Sequence, residues 1–228
     1  MLSDSVRTDL IFLSASGSIA RDGDCTIIRT PDNPTYWWGN ALVFDAPPRP
    51  GDLARWSALF ARHIRAHQPA SRHTTFGWNG DERGEVAPFL DAGFTLLESV
   101  VMTATIATLR PAPHRDDDAV VRTLVHADWD ALHALLVETR DDGHSEAGYA
   151  EFATQRIAGW RALAEPARGA VNGKARGAWF GAWCDGASGP RLVSALGIVA
   201  DENDVARRVY ASLGFAPSGW QRGLELRG

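Results

Sequence analysis

Hydrophobic and polar positions along this chain fall into short runs of two kinds. Aliphatic and aromatic runs, continuous or alternating, predict strands over Asp9–Ala15, Cys25–Arg29, Tyr36–Phe44, Thr74–Trp78, Leu96–Leu109, Ala119–Leu124, Gly177–Cys184, Leu192–Asp201 and Trp220–Leu226. Between them, apolar residues three and four apart predict helices. Asp52–His67 carries Leu53, Trp56, Leu59, Phe60 and Ile64, with Asp52 as its candidate cap. Glu85–Ala92, Asp128–Thr139 and Tyr149–Ala164 repeat the spacing, the last two through Trp129, Leu132 and Leu135, and through Ile157, Trp160 and Leu163. Turn residues punctuate the runs at Ala20–Asp24, Asn33–Thr35, Pro47–Gly51, Asn79–Gly80 and Asp185–Pro190. The interleaving predicts an α/β (α+β) fold, a mixed sheet flanked by helices.

Two stretches echo each other. FLDAGFTLLESVVM and YASLGFAPSGWQRGLEL both run from helix through x-x-G-F into a strand. The echo predicts a degenerate tandem, residues 1–110 and 119–228, joined across 111–118. That joint is rich in proline and charge and has no apolar periodicity, the composition of an exposed linker.

The stretch richest in signals is Asn203–Phe215, NDVARRVYASLGF. Asn203 or Asp204 can accept a bond from an unpaired first-turn N–H. Gly214 stands where a helix ends through a left-handed residue, and Phe215 can pack back over the last turn. Val205, Ala206, Val209 and Leu213 form the apolar side, with Arg207 and Arg208 left for solvent.

Asn203, Ala206, Tyr210, Gly214 and Phe215 together resemble the N-x-x-A-x-x-x-Y-x-x-x-G-F signature of GCN5-related N-acetyltransferases (the GNAT superfamily). The resemblance covers Ala119–Gly228 well and the N-terminal half loosely. It implies a GNAT-like fold, acetyl-CoA as cofactor and transfer of an acetyl group to an amine. It further implies Tyr210 as general acid toward the departing thiolate, and Asn203 and Arg207 beside the cofactor. An ordinary short helix over a sheet would also use an Asn cap, a packed Tyr and a Gly-Phe stop.

One part of the family pattern is missing. The family holds the cofactor's pyrophosphate in a Q/R-x-x-G-x-G/A loop, whose bare N–H groups open a long helix. No such segment lies between Gly177 and Tyr210, and Leu192–Asp201 leaves no room for the crossover that would contain it. Pro47–Leu53, PPRPGDL, follows a strand and opens a helix, so its place is right. Its three prolines cannot donate, however, and Asp52 would repel phosphate.

Composition narrows the remaining classes. The 228 residues are 45% hydrophobic and 22% charged, with net charge −5 and a pI near 5.8. Nothing there points to nucleic acid or an anionic membrane as partner, and no apolar run is long enough to span a bilayer. The N-terminus lacks a basic n-region, so a cytoplasmic protein is expected. Cys25 and Cys184 stand alone, and His63 and His67, although four apart on a helix, have no third ligand, so no metal is expected. Glu138, Asp141, Asp142 and Glu146 form an acidic run, either a solvated loop or the border of a site for a cationic acceptor.

Two readings of function follow. The first is an acetyltransferase acting on a small-molecule or peptide amine. The second is a non-catalytic binding or dimerising module, in which Trp37, Trp38, Trp179 and Trp183 would meet a second copy of the chain.

Overall fold

The computed structural model describes residues 4–13, 17–111, 118–140, 145–164, 178–186, 189–195, 200–201 and 210–227. It has the expected class, mixed sheet and helices. The chain forms two compact units, and they are not consecutive halves. One comprises 1–113 with 199–228, and the other 114–198.

The first unit holds a seven-stranded sheet in the order β1-β2-β3-β4-β10-β5-β9. Its strands are β1 (Ser18–Asp22), β2 (Cys25–Arg29), β3 (Ala41–Phe44), β4 (Thr74–Trp78), β5 (Thr95–Thr103), β9 (Ala200–Asp201) and β10 (Ala216–Leu226). Only β3 and β4 are parallel; the other neighbours run antiparallel. The cut between the units at 113/114 falls within the expected joint 111–118, but the second unit ends at 198 and not at the C-terminus. The C-terminal strand does not complete a second domain but inserts between β4 and β5 of the first. Residues 216–221 run along β5 and 222–225 pair with β4 and β5 at once, and that two-sided pairing is what the consecutive-halves reading missed.

Helices α2 (Asp52–Phe60), widened at its end into a π-turn over Ala61–Arg65, and α3 (Ala87–Asp91) cover one face of this sheet. Leu42, Phe44, Phe76, Trp78 and Leu224 meet Trp56, Phe60, Ile64 and Phe89 there. The other face takes α1 (Asp4–Leu13), in a segment where the sequence suggested a strand. The run DLIFL is apolar enough for either. Val6, Leu10 and Leu13 instead share one helical face and pack on Ile28, Val43 and Tyr36.

Strand β3 is shorter than YWWGNALVF suggested, because Asn40 bonds out of register. Its amide donates to Asn33 O and Tyr36 O, and its Oδ1 accepts the Thr30 N–H, so side-chain bonds replace ladder bonds before Ala41. The Trp38 ring lies across Gly77 and Gly223, paired glycines of β4 and β10 where a Cβ would collide with the indole. Strand β5 also ends early, where the Thr108 hydroxyl takes the Thr105 N–H and turns the chain.

The second unit is a three-stranded antiparallel sheet, β6-β7-β8, made of β6 (Ala119–Thr123), β7 (Phe180–Gly186) and β8 (Gly189–Ala195). Helices α4 (Trp129–Glu138) and α5 (Glu146–Ala164) lie on it. Trp129, Leu132, Ile157 and Leu163 pack with Trp179, Trp183 and Leu192. Leu192–Asp201, expected as one strand, therefore divides, with Leu192–Ala195 in this sheet and Ala200–Asp201 in the other.

Candidate functional site

Residues Tyr210–Ser212 are helical and end as the sequence predicts. Gly214 has φ +92°, a left-handed value that a Cβ disfavours. Its N–H donates to Ala211 O (3.1 Å) and that of Phe215 to Tyr210 O (3.1 Å), closing the helix end. The Phe215 ring then sits 5.7 Å from that of Tyr210. The Arg110 N–H holds the same end by donating to Leu213 O at 2.9 Å. Tyr210 is half-buried, and the strand that follows it enters the sheet opposite Thr103 of β5 and meets β4 only from Arg222 onward. Asn203 and Arg207 lie outside the described residues.

The parallel pair β3–β4 is the place to test for a cofactor cradle. Leu42, Val43 and Phe44 stand opposite Phe76, Gly77 and Trp78, and the Asn79 N–H then donates to Phe44 O at 3.0 Å. The two strands stay joined to their ends and do not splay. The loop after β3 is spoken for as well. Pro47, Pro48 and Pro50 have no N–H to give. The Arg49 N–H donates to Asp52 Oδ2 (2.8 Å), and Pro48 O accepts from the Glu85 N–H (2.7 Å).

Asp52 itself begins α2, and Gly51 takes the cap position assigned to Asp52 from the sequence. Its Oδ1 accepts from Arg55 Nε at 2.8 Å, and Arg55 reaches on to Asp24. The positive end of the helix thus faces the chain's own carboxylate. These residues do not fit a pyrophosphate.

Other candidates resolve into structural contacts. His63 bonds Asp22 at 2.8 Å on the side of α2, and burial with neighbouring Arg62 and Arg29 holds its pKa below the ordinary histidine value. Among the described residues no cluster of three or more His, Cys, Asp or Glu is gathered, and no helix is long and apolar enough to cross a membrane. Of the acidic run, Glu138 pairs with Arg191 and Glu146 with Arg140, while Asp141 and Asp142 lie outside the described residues. Trp179 and Trp183 pack in the core of their own unit, and Trp37 stacks on His73 at 5.4 Å. Both cysteines are free, and burial pushes the Cys25 thiol pKa up.

Sequence reasoning passed over His73. It is 2% exposed, its Nε2 lies 3.3 Å from Asn40 O, and burial drives its pKa down to about 4. Its place between a proline-bearing turn and a strand gave no periodic signal.

No family model matches the chain, and no curated protein does. By structure the chain is similar to a functionally unknown conserved protein from Staphylococcus epidermidis ATCC 12228. Identity there is 11% and the TM-score 0.56, over 94% of this chain and 95% of that one. Weaker likenesses run to GCN5-related N-acetyltransferases from two organisms. For that of Kribbella flavida identity is 12% and the TM-score 0.47, over 100% of this chain and 97% of that one. For that of Sphaerobacter thermophilus the values are 14% and 0.42, over 77% and 67%. The first likeness is one of fold alone, and the two weaker ones decide nothing about chemistry.

Proposed function

We propose that the chain is an acyltransferase-like protein that passes an acetyl group from acetyl-CoA to an amine of a small molecule or peptide, in the cytoplasm. The observation that carries this reading is the helix stop at Tyr210–Phe215. A half-buried phenol stands where a helix turns, through a left-handed glycine, into a strand that pairs first with β5 and then with β4 of the parallel pair. On this reading Tyr210 supplies the proton that a leaving thiolate needs. Holding the amine against the thioester contributes the larger part of the rate. The misfit at Pro47–Asp52 leaves cofactor contacts, on this reading, to the segment containing Asn203 and Arg207.

A second reading, a binding module without catalysis, is favoured by one observation. The N-terminus of α2, the helix that follows β3 of the parallel pair, is filled by Asp52. Losing several charge-assisted bonds, at about 1.5–3 kcal/mol each, takes a micromolar cofactor out of useful range.

Titration calorimetry with acetyl-CoA and with free CoA separates the two, run beside Tyr210→Phe and an acetyl-CoA consumption assay with lysine and cadaverine as acceptors. Micromolar binding, with the variant binding equally but turning over about a hundredfold more slowly, supports acyl transfer through Tyr210. No heat at millimolar cofactor overturns it and leaves the binding module.

A further inference from the structure

A cleft of about 420 Å³ lies in the second unit, between α4 and the β7–β8 hairpin. It exists because side chains are missing from both walls. Helix α4 presents Ala131 and Ala134, and the hairpin presents Gly186 and Gly189. The volume falls within the range of small-molecule sites. Its apolar floor is Leu135, Trp183 and Leu192. The indole of Trp183 is fixed in place, since the Arg122 guanidinium stacks 4.2 Å from its centroid. Arg122 is itself held by Asp128 (2.9 Å) at the start of α4.

The lining carries one charge of each sign. Glu138, in the last turn of α4, and Arg191, on β8, pair across the cleft at 2.6 Å. Their side chains are 59% and 62% exposed, so the pair adds little to the fold and opens at little cost. Opened, it offers a carboxylate and a guanidinium side by side above an apolar floor.

We propose that this cleft binds a small zwitterion with an apolar group, of the amino-acid type. Its ammonium lies on Glu138, its carboxylate on Arg191 and its apolar group on Trp183. A single-charge ligand would satisfy one partner and strand the other, whereas a zwitterion exchanges one ion pair for two. The guanidinium takes a carboxylate through two parallel N–H bonds, and the orientation of the ligand follows from the order of charges along the mouth. The cleft is lined by residues of the second unit alone, whereas Tyr210 belongs to the first, so the assignment stands whether or not the chain transfers acyl groups.

The test uses the full chain and three probes of one shape. Leucine carries both charges, leucinamide lacks the carboxylate, and 4-methylpentanoate lacks the ammonium. Calorimetry and the indole N–H resonance of Trp183, assigned from its loss in Trp183→Phe, are read together. Saturable leucine binding that moves this resonance is expected, with each single-charge probe about tenfold weaker. Glu138→Gln should erase the preference for leucine over 4-methylpentanoate, and Arg191→Gln that over leucinamide. Both sites are exposed, so the variants should keep the parent melting temperature, which is checked directly. Equal binding of all three probes overturns the proposal. So does leucine binding that both variants leave unchanged, or no saturable binding of leucine at tens of millimolar.

Discussion

The two Gly-Phe stops of the first unit are built alike and finished differently. At the first, Gly93 has φ +90° and the Phe94 N–H donates to Phe89 O at 3.0 Å; at the second, Gly214 has φ +92° and the Phe215 N–H donates to Tyr210 O at 3.1 Å. The strands they launch, β5 and β10, are direct neighbours in the sheet. Phe89 and Tyr210 therefore occupy equivalent positions five residues before the aromatic stop. Phe89 is 1% exposed and packs against Trp56, Phe76 and Phe94. Tyr210 keeps a hydroxyl and some access to solvent. The same local code thus makes a sealed core position at one stop and a partly exposed phenol at the other. Both stops keep the glycine and the aromatic residue that the backbone turn needs, while the residue five positions before is free to differ.

The strongest way to break this comparison is to remove both rings. Phe89→Ala should cost about 3–5 kcal/mol, since it empties a site enclosed by three other aromatic rings. Tyr210→Ala should cost less, since Tyr210 is only half-buried. Urea midpoints at equal m-value measure both. Equal losses would mean that Tyr210 is a core residue like Phe89, and the functional distinction between the stops would fall.

Acid reaches the first stop from its polar side. His73 stands 6.4 Å from the Phe60 ring, which meets Phe76 at 5.8 Å, which in turn meets Phe94 at 5.6 Å. Burial holds its pKa near 4, against an ordinary value of 6.5. Between those values the unfolded chain binds a proton that the folded chain refuses, so stability is full above pH 6.5 and falls steadily toward pH 4. The whole loss is about 3 kcal/mol. Glu98 and Asp24, held low first by Arg83 and Arg55 respectively, lose their contribution only below the usual carboxylate range. Urea midpoints at pH 7 and pH 4.5 should therefore differ in the parent and differ less in His73→Gln, where the acid sensitivity of His63, also held below its ordinary pKa, remains. The same slope in the variant would assign the acid sensitivity to other groups.

What the sequence made legible follows the same division between local and distant causes. The stops at Gly93 and Gly214, strands β2, β4 and β6, and helices α2, α4 and α5 were readable because their signals sit within a few residues. The insertion of β10 between β4 and β5, and the split of Leu192–Asp201 between two sheets, depend on pairings over a hundred residues apart or on a change of sheet within one apolar run. Segment Asp4–Leu13 shows the same limit. Its helix is selected by the surface of Ile28 and Val43 beneath it, which no window along the chain contains. At the candidate site, Tyr210 stands out through its motif, whereas no motif marks the bonds that tie Asp52 to Arg49 and Arg55.

The finest test sets one stop glycine against the other. Both have left-handed φ, so replacing either with alanine carries a backbone strain of about 1 kcal/mol. Space then separates them. A Cβ on Gly93 would meet only Leu226 Cδ1, at an ordinary 3.6 Å. One on Gly214 would run into the carbonyl oxygen of Thr108, backbone that cannot rotate aside. Gly93→Ala should therefore cost about 1 kcal/mol, and Gly214→Ala about 2–3, the difference being the displacement of the Thr105–Leu109 turn. That turn also holds the end of the Tyr210 helix, through the Arg110 N–H bond to Leu213 O. If Gly214→Ala shifts the amide resonances of Thr105–Arg110 and Gly93→Ala leaves them in place, the second stop is fixed by its neighbour and the first by its own dihedral. Equal costs with no shift at Thr108 would mean that the turn yields freely, and the position of Tyr210 would then rest on Gly214 and Phe215 alone.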